Sequence, residues 1–153
     1  MTTPQPIGFA AADDAEELAR AEVYGLLAAL FYAPPTTEMH ARFQVAVTEA
    51  PAAGGVLEHA WGELVAAARR LSHEQIASEF AGLFQGVGKP EIFLYGSFHI
   101  AGRLNEKPLV ALRHTLRELA ITKSDEVSET EDHIASLCEV MRYLIAGDDV
   151  AVA

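Results

Sequence analysis

Hydrophobic positions recur along this chain mostly at spacings of three and four, the repeat of a helix buried on one face. Val23, Leu26, Leu27, Leu30 and Phe31 set the first stripe. Asp13 and Asp14 precede it, Glu16 and Glu17 lie in its first turn where the helix dipole favours acid, and Pro34 and Pro35 end it. A weaker helix is predicted over 37–48 from Met39, Phe43 and Val47 at spacing four. Pro51, Gly54 and Gly55 then break the chain. Leu57, Ala60, Trp61, Leu64, Val65, Ala68 and Leu71 form the cleanest amphipathic stripe of the sequence. Ser72 and Gln75 have the spacing of a capping box: the serine hydroxyl takes the amide of the third helical residue while the glutamine reaches back. Ile76, Phe80, Leu83 and Phe84 share one face of the helix so opened, and Gly86, Gly88 and Pro90 stop it.

Residues 91–100 are β-rich by propensity but have no partner strand, so they read as an ordered loop or a short turn of helix. Leu109, Leu112, Leu116 and Leu119 predict another helix, with Pro108 near its first turn. Ser128 and Glu131 have the spacing of a second capping box, expected to launch a helix carrying Ile134, Leu137, Cys138, Met141 and Ile145 on one face and ending at Gly147. The reading is an all-α, single-domain helical bundle of about five to six helices over residues 13–147, with a flexible N-terminus at 1–12 and a tail at 148–153.

Composition narrows the function. The 153 residues carry 11 basic against 22 acidic side chains, a net charge of −11, and half of them are hydrophobic. This is a globular composition of about one domain. The acidic balance excludes a nucleic-acid or anionic-membrane binder, since both need Lys and Arg to meet phosphate, and it suits a basic partner. One cysteine excludes a disulfide framework and any CxxC pair. The N-terminus lacks a basic start followed by an apolar run, and the longest apolar stretch, 23–33, is too short to span a bilayer. These features point to the cytoplasm and to no membrane insertion.

Catalytic and metal chemistry find little support. No Glu has a His three residues later, as a di-iron bundle requires, and the six histidines are scattered, so no metal and no cofactor is expected. His59 and Glu63 read as a surface pair, Cys138 as a small buried hydrophobe, and Gly86 to Lys89 as a helix stop rather than a phosphate loop. No catalytic residue is assigned, and the chain is read as a non-enzyme.

Two segments differ from ordinary helix filler. Phe84, Phe93, Tyr95 and Phe98 place four of the twelve aromatics within 15 residues. Glu129, Glu131, Asp132 and His133 sit at a predicted helix start, with Asp132, Ser136 and Glu139 on one side of that helix. Residues 122–149 carry a local charge of −6, whereas 102–123 carry +3. Taken alone, the aromatics also suit a core loop and the acids a charged first turn.

Three segments together resemble the TorD/DmsD/NarJ family of redox-enzyme maturation chaperones. Arg20 to Tyr24 leading to Pro35 is similar to the family's first helix. Glu79, Phe80, Leu83, Phe84 and Gly88, followed by Leu94 to Ser97, are similar to its aromatic-x-Ser segment. Glu129 to Ile134 with Cys138, Glu139 and Met141 resembles its Glu-Pro-x-Asp-His motif. Thr130 stands where the family usually has Pro, and His99 where it often has a second aromatic. The resemblance implies a cytoplasmic chaperone that binds the twin-arginine signal peptide and the apo-form of a molybdenum-cofactor oxidoreductase, assists cofactor insertion and prevents premature export. It implies a peptide groove lined by Phe84, Tyr95, Ser97, Phe98, His99, Asp132, His133, Ser136 and Glu139. Two guanidinium groups and an apolar stretch would find carboxylates and aromatic surface there. The alternative is a generic acidic helical adaptor for basic or amphipathic segments. Family members continue past this helix, so the chain reads as a domain missing its last helices, with a homodimer through helix exchange as compensation.

Overall fold

In a computed structural model describing residues 11–48, 55, 57–86 and 88–147, the protein is all-α: no β-strand forms among the described residues. Seven α-helices and one π-helix form there, against the five or six expected. They are α1 (Ala11–Tyr32), α2 (Thr37–Val45), α3 (Glu58–Arg70), α4 (His73–Phe80), π1 (Ala81–Gln85), α5 (Gly96–Ala101), α6 (Lys107–Glu118) and α7 (Ile134–Ala146). The expected break at 51–54, most of the N-terminal segment and the tail at 148–153 lie outside the described residues. Helix α1 begins at Ala11, two residues before the expected Asp13. The chain divides into two compact units, one of residues 1–32 and 95–153, the other of residues 33–94.

In the first unit, α1 and α7 make the most extensive helix–helix contact. Ala21, Gly25 and Ala28 recur at i, i+4 and i+7 on α1, and Ala21 and Ala28 are buried. Ala135 and Cys138 are buried on α7. Small residues let two helix backbones approach closely. The fit is tight at Gly25, where an added Cβ would stand 3.0 Å from Arg142 Cδ. Met141, expected on the covered face of α7, is instead partly exposed, because the buried stripe follows Ala135 and Cys138. Helix α6 packs on α5 and buries Leu109 and Leu116, while Leu119 at its end is exposed. Pro108 occupies its first turn, as expected.

In the second unit, the Ser72 box forms as expected: Gln75 N donates to Ser72 Oγ at 3.2 Å, and Ser72 N donates to Gln75 Oε1 at 2.8 Å. Helices α2 and α3 are tied by side chains reaching backbone. The buried His40 Nε2 donates to Ala68 O at 2.9 Å and Leu71 O at 3.1 Å, satisfying carbonyls at the end of α3. Arg69 donates to Gln44 O and Ala46 O, and Trp61 Nε1 donates to Val47 O at 2.8 Å. Phe43 meets Trp61 edge-on, with ring centres 6.0 Å apart. Helix α2 stops at Val45, so Val47 is exposed instead of joining the predicted stripe. Phe84 packs edge-on against Phe80 within α4 and π1, with ring centres 5.0 Å apart. The helical run ends at Gln85, where the glycines were expected to stop it.

Candidate functional site

The site belongs to the first unit and is built where residues 95–98 meet the start of α7. Tyr95 and His133 form an isolated antiparallel bridge, and Gly96 N donates to Asp132 O at 2.9 Å. The segment read as a loop or a turn of helix is therefore one bridged residue followed by the short helix α5. Gly102, with φ 73°, ends that helix in the left-handed region that glycine adopts without a Cβ clash.

Asp132 is the centre of this junction. It is 3% exposed, so its carboxylate is removed from water and must be met by donors. Oδ2 accepts from Ser97 N at 2.8 Å, and Oδ1 accepts from Thr130 Oγ at 2.6 Å. Burial alone would push its pKa up, but the hydrogen bonds from Ser97 and Thr130 outweigh it and hold the carboxyl below its ordinary range. Ser97 is 1% exposed, and its Oγ accepts from Asn105 N at 3.3 Å. Both oxygens of Asp132 are thus occupied within the chain. Through these bonds the Asp132 side chain fastens α5 to the start of α7.

His133 sits beside it, 6% exposed. Its Nδ1 accepts from Ala135 N at 3.2 Å and so caps α7. That bond requires an unprotonated Nδ1. Burial lowers the His133 pKa, against the pull of Glu129 and Asp132. Its ring meets Tyr95 edge-on, with centres 5.0 Å apart. The Tyr95 hydroxyl donates to Glu129, and burial together with that carboxylate raises the Tyr95 pKa.

The second capping box does not form. Helix α7 starts at Ile134 behind His133, not behind Ser128. Glu131, expected to reach back to Ser128, instead accepts from Arg113 Nε on α6 at 2.8 Å. Burial would raise the Glu131 pKa, yet the bonds it accepts, including that from Arg113, keep it low. Lys123 Nζ donates to Val127 O at 2.7 Å and Glu129 O at 3.0 Å, which fixes the connection before α7. Arg113 and Lys123 were outside the expected set. The signal for them was the positive charge of 102–123 facing the negative charge of 122–149.

The remaining expected residues fall into three positions. Phe98 lies half-buried on α5 against the exposed His99, ring centres 5.6 Å apart. Ser136 is half-buried on α7, and Glu139, 47% exposed, accepts from Arg142 at 2.7 Å and 2.9 Å. Phe84 belongs to the second unit. Among the described residues, no three His, Cys, Asp or Glu side chains are grouped to hold a metal ion, and no helix is long and apolar enough to cross a membrane.

With this junction in view, a sequence profile described as "Nitrate reductase delta subunit" matches residues 51–152, about two thirds of the chain. The chain belongs to the nitrate reductase delta subunit family. That family of maturation chaperones for molybdoenzymes includes the NarJ- and TorD-type proteins, and it is not a catalytic family. The match spans α3 to α7 and includes the whole 95–139 junction. No curated protein matches the chain.

Proposed function

We propose that this chain is a cytoplasmic chaperone that binds the twin-arginine signal peptide and the apo-form of one molybdoenzyme, assists cofactor insertion and delays export until it is complete. The observation carrying this reading is the buried Asp132–Ser97 link, which ties the aromatic segment to the start of the acidic helix. Family membership supports the client class. Asp132 and His133 act as positioning residues, with Tyr95 and Ser97 held by them. The more exposed Phe98, His99, Ser136 and Glu139 make the contacts. Glu139 exchanges its Arg142 partner for a ligand guanidinium, a swap between charge-assisted bonds of one kind.

Calorimetric titration with a synthetic twin-arginine leader tests this. Binding should weaken with salt, drop on exchanging both arginines for lysine, and drop with Glu139→Gln. Equal affinity for unrelated basic peptides would favour the generic acidic adaptor instead. The same reading includes a homodimer through helix exchange, since Met141 and Leu144 leave apolar surface on α7. Light scattering at rising concentration should show it, and a monomer throughout would remove it.

A further inference from the structure

A hollow of about 360 Å³ in the first unit is lined by Arg113, Leu116 and Arg117 of α6 and by Ile121, Lys123 and Glu131 of the connection to α7. Asp125 and Thr122 complete the lining. Its volume falls in the range of about 300–1,000 Å³ typical of small-molecule sites. Its charge runs against that of the protein. Arg113 is neutralised by Glu131, but only through Nε, so its two Nη groups keep their donors. The Arg117 guanidinium has no hydrogen-bond or ion-pair partner among the described residues. Lys123 gives two bonds to neutral carbonyls, and its charge also acts on Glu131. The hollow thus carries Arg113, Arg117 and Lys123 against Asp125 and Glu131, a net positive lining beside the apolar Leu116 and Ile121. A cationic leader would be repelled from this place, so it has no part in the function proposed above.

We propose that this hollow binds a small organic carboxylate whose head pairs with Arg117 and the Nη groups of Arg113 while its apolar body rests on Leu116 and Ile121. Guanidinium favours this planar, two-point recognition of carboxylate. The test is a ¹H–¹⁵N titration of the full chain at low salt with hexanoate, with hexanamide and inorganic phosphate as comparisons. Hexanoate should move the amides of Arg113, Arg117, Ile121 and Lys123 along saturating curves, and bind at least tenfold more tightly than either comparison. Arg117→Gln should weaken hexanoate at least tenfold, and Arg117→Lys should restore part of the loss. Arg117 is exposed, so both variants should keep the wild-type circular dichroism. Non-saturating shifts, equal binding of hexanamide or phosphate, or an indifferent Arg117→Gln would each overturn the proposal.

Discussion

Replacing Asp132 by Ala probes the junction most directly. The substitution removes two accepted hydrogen bonds, one from the buried Ser97 amide and one from Thr130. Bonds to a charged group contribute about 1.5–3 kcal/mol each, and an abandoned buried donor costs a further ~1–3 kcal/mol. The terms overlap, because losing the bond and stranding the amide are partly one event. The expected loss is therefore about 3–5 kcal/mol, a large share of the ~5–15 kcal/mol that holds a typical domain folded. Asp132→Asn should cost less than Ala but remain clearly destabilising. Its carboxamide oxygen can keep the Ser97 amide and its N–H can donate to the Thr130 hydroxyl, so what is lost is the charge assistance of both bonds. Urea denaturation followed by circular dichroism measures the differences, and amide exchange at Gly96 and Ser97 locates them. The acid dependence is a second reading of the same contact. The folded pKa lies below the unfolded value near ~3.9, so the stabilisation is complete above that pH and is lost as pH falls through the folded pKa. The gap between wild type and Asp132→Ala should close over that window. A loss under about 1 kcal/mol, or a gap indifferent to acid, would refute the assignment of Asp132 as the junction's fastener.

Three further outcomes follow from other contacts. The His133 pKa is lowered on folding, so acidification from its unfolded value near ~6.5 towards the folded one should cost stability; His133→Asn, a cap that does not titrate, should flatten that part of the pH–stability curve. Gly25→Ala should be near neutral, because a helix-propensity gain of ~1 kcal/mol meets a contact 3.0 Å from Arg142 Cδ, whereas Gly25→Leu should lose ~1–3 kcal/mol by overpacking, measured as urea midpoints. Arg113→Gln should lower the thermal midpoint more than His59→Gln does, since Glu131 is mostly shielded from water while the His59–Glu63 pair is exposed on both sides.

The helices and some of their ends could be read from local pattern. The Ser72 box, Pro108 at the start of α6 and the stop after Gln85 depend on neighbours within a few residues, and such signals are visible in one dimension. The Ser128 box failed for the opposite reason. Its spacing is right, but Glu131 has a better partner in Arg113, 18 residues away, and His133 supplies the cap. The residues of the junction were legible, but their roles were not. Sequence pattern marks Asp132 as an acid at a helix start and says nothing of the Ser97 amide that buries its charge. The short helix α5 was uncertain because its ending depends on Gly102, while its placement depends on the bridge to His133.

The Ser97–Asp132 link joins positions 35 residues apart and has the Tyr95–Glu129 and Gly96–Asp132 bonds beside it. It therefore closes residues 95–133 into a ring clasped by polar contacts, with α6 held inside it. A protease cutting within 119–128 would open the ring between α6 and its clasp, and both cut ends would stay attached through the clasp bonds. Unzipping would have to open the clasp, whose buried carboxylate keeps water and acid out, so α5, α6 and the head of α7 are built to exchange their amides together.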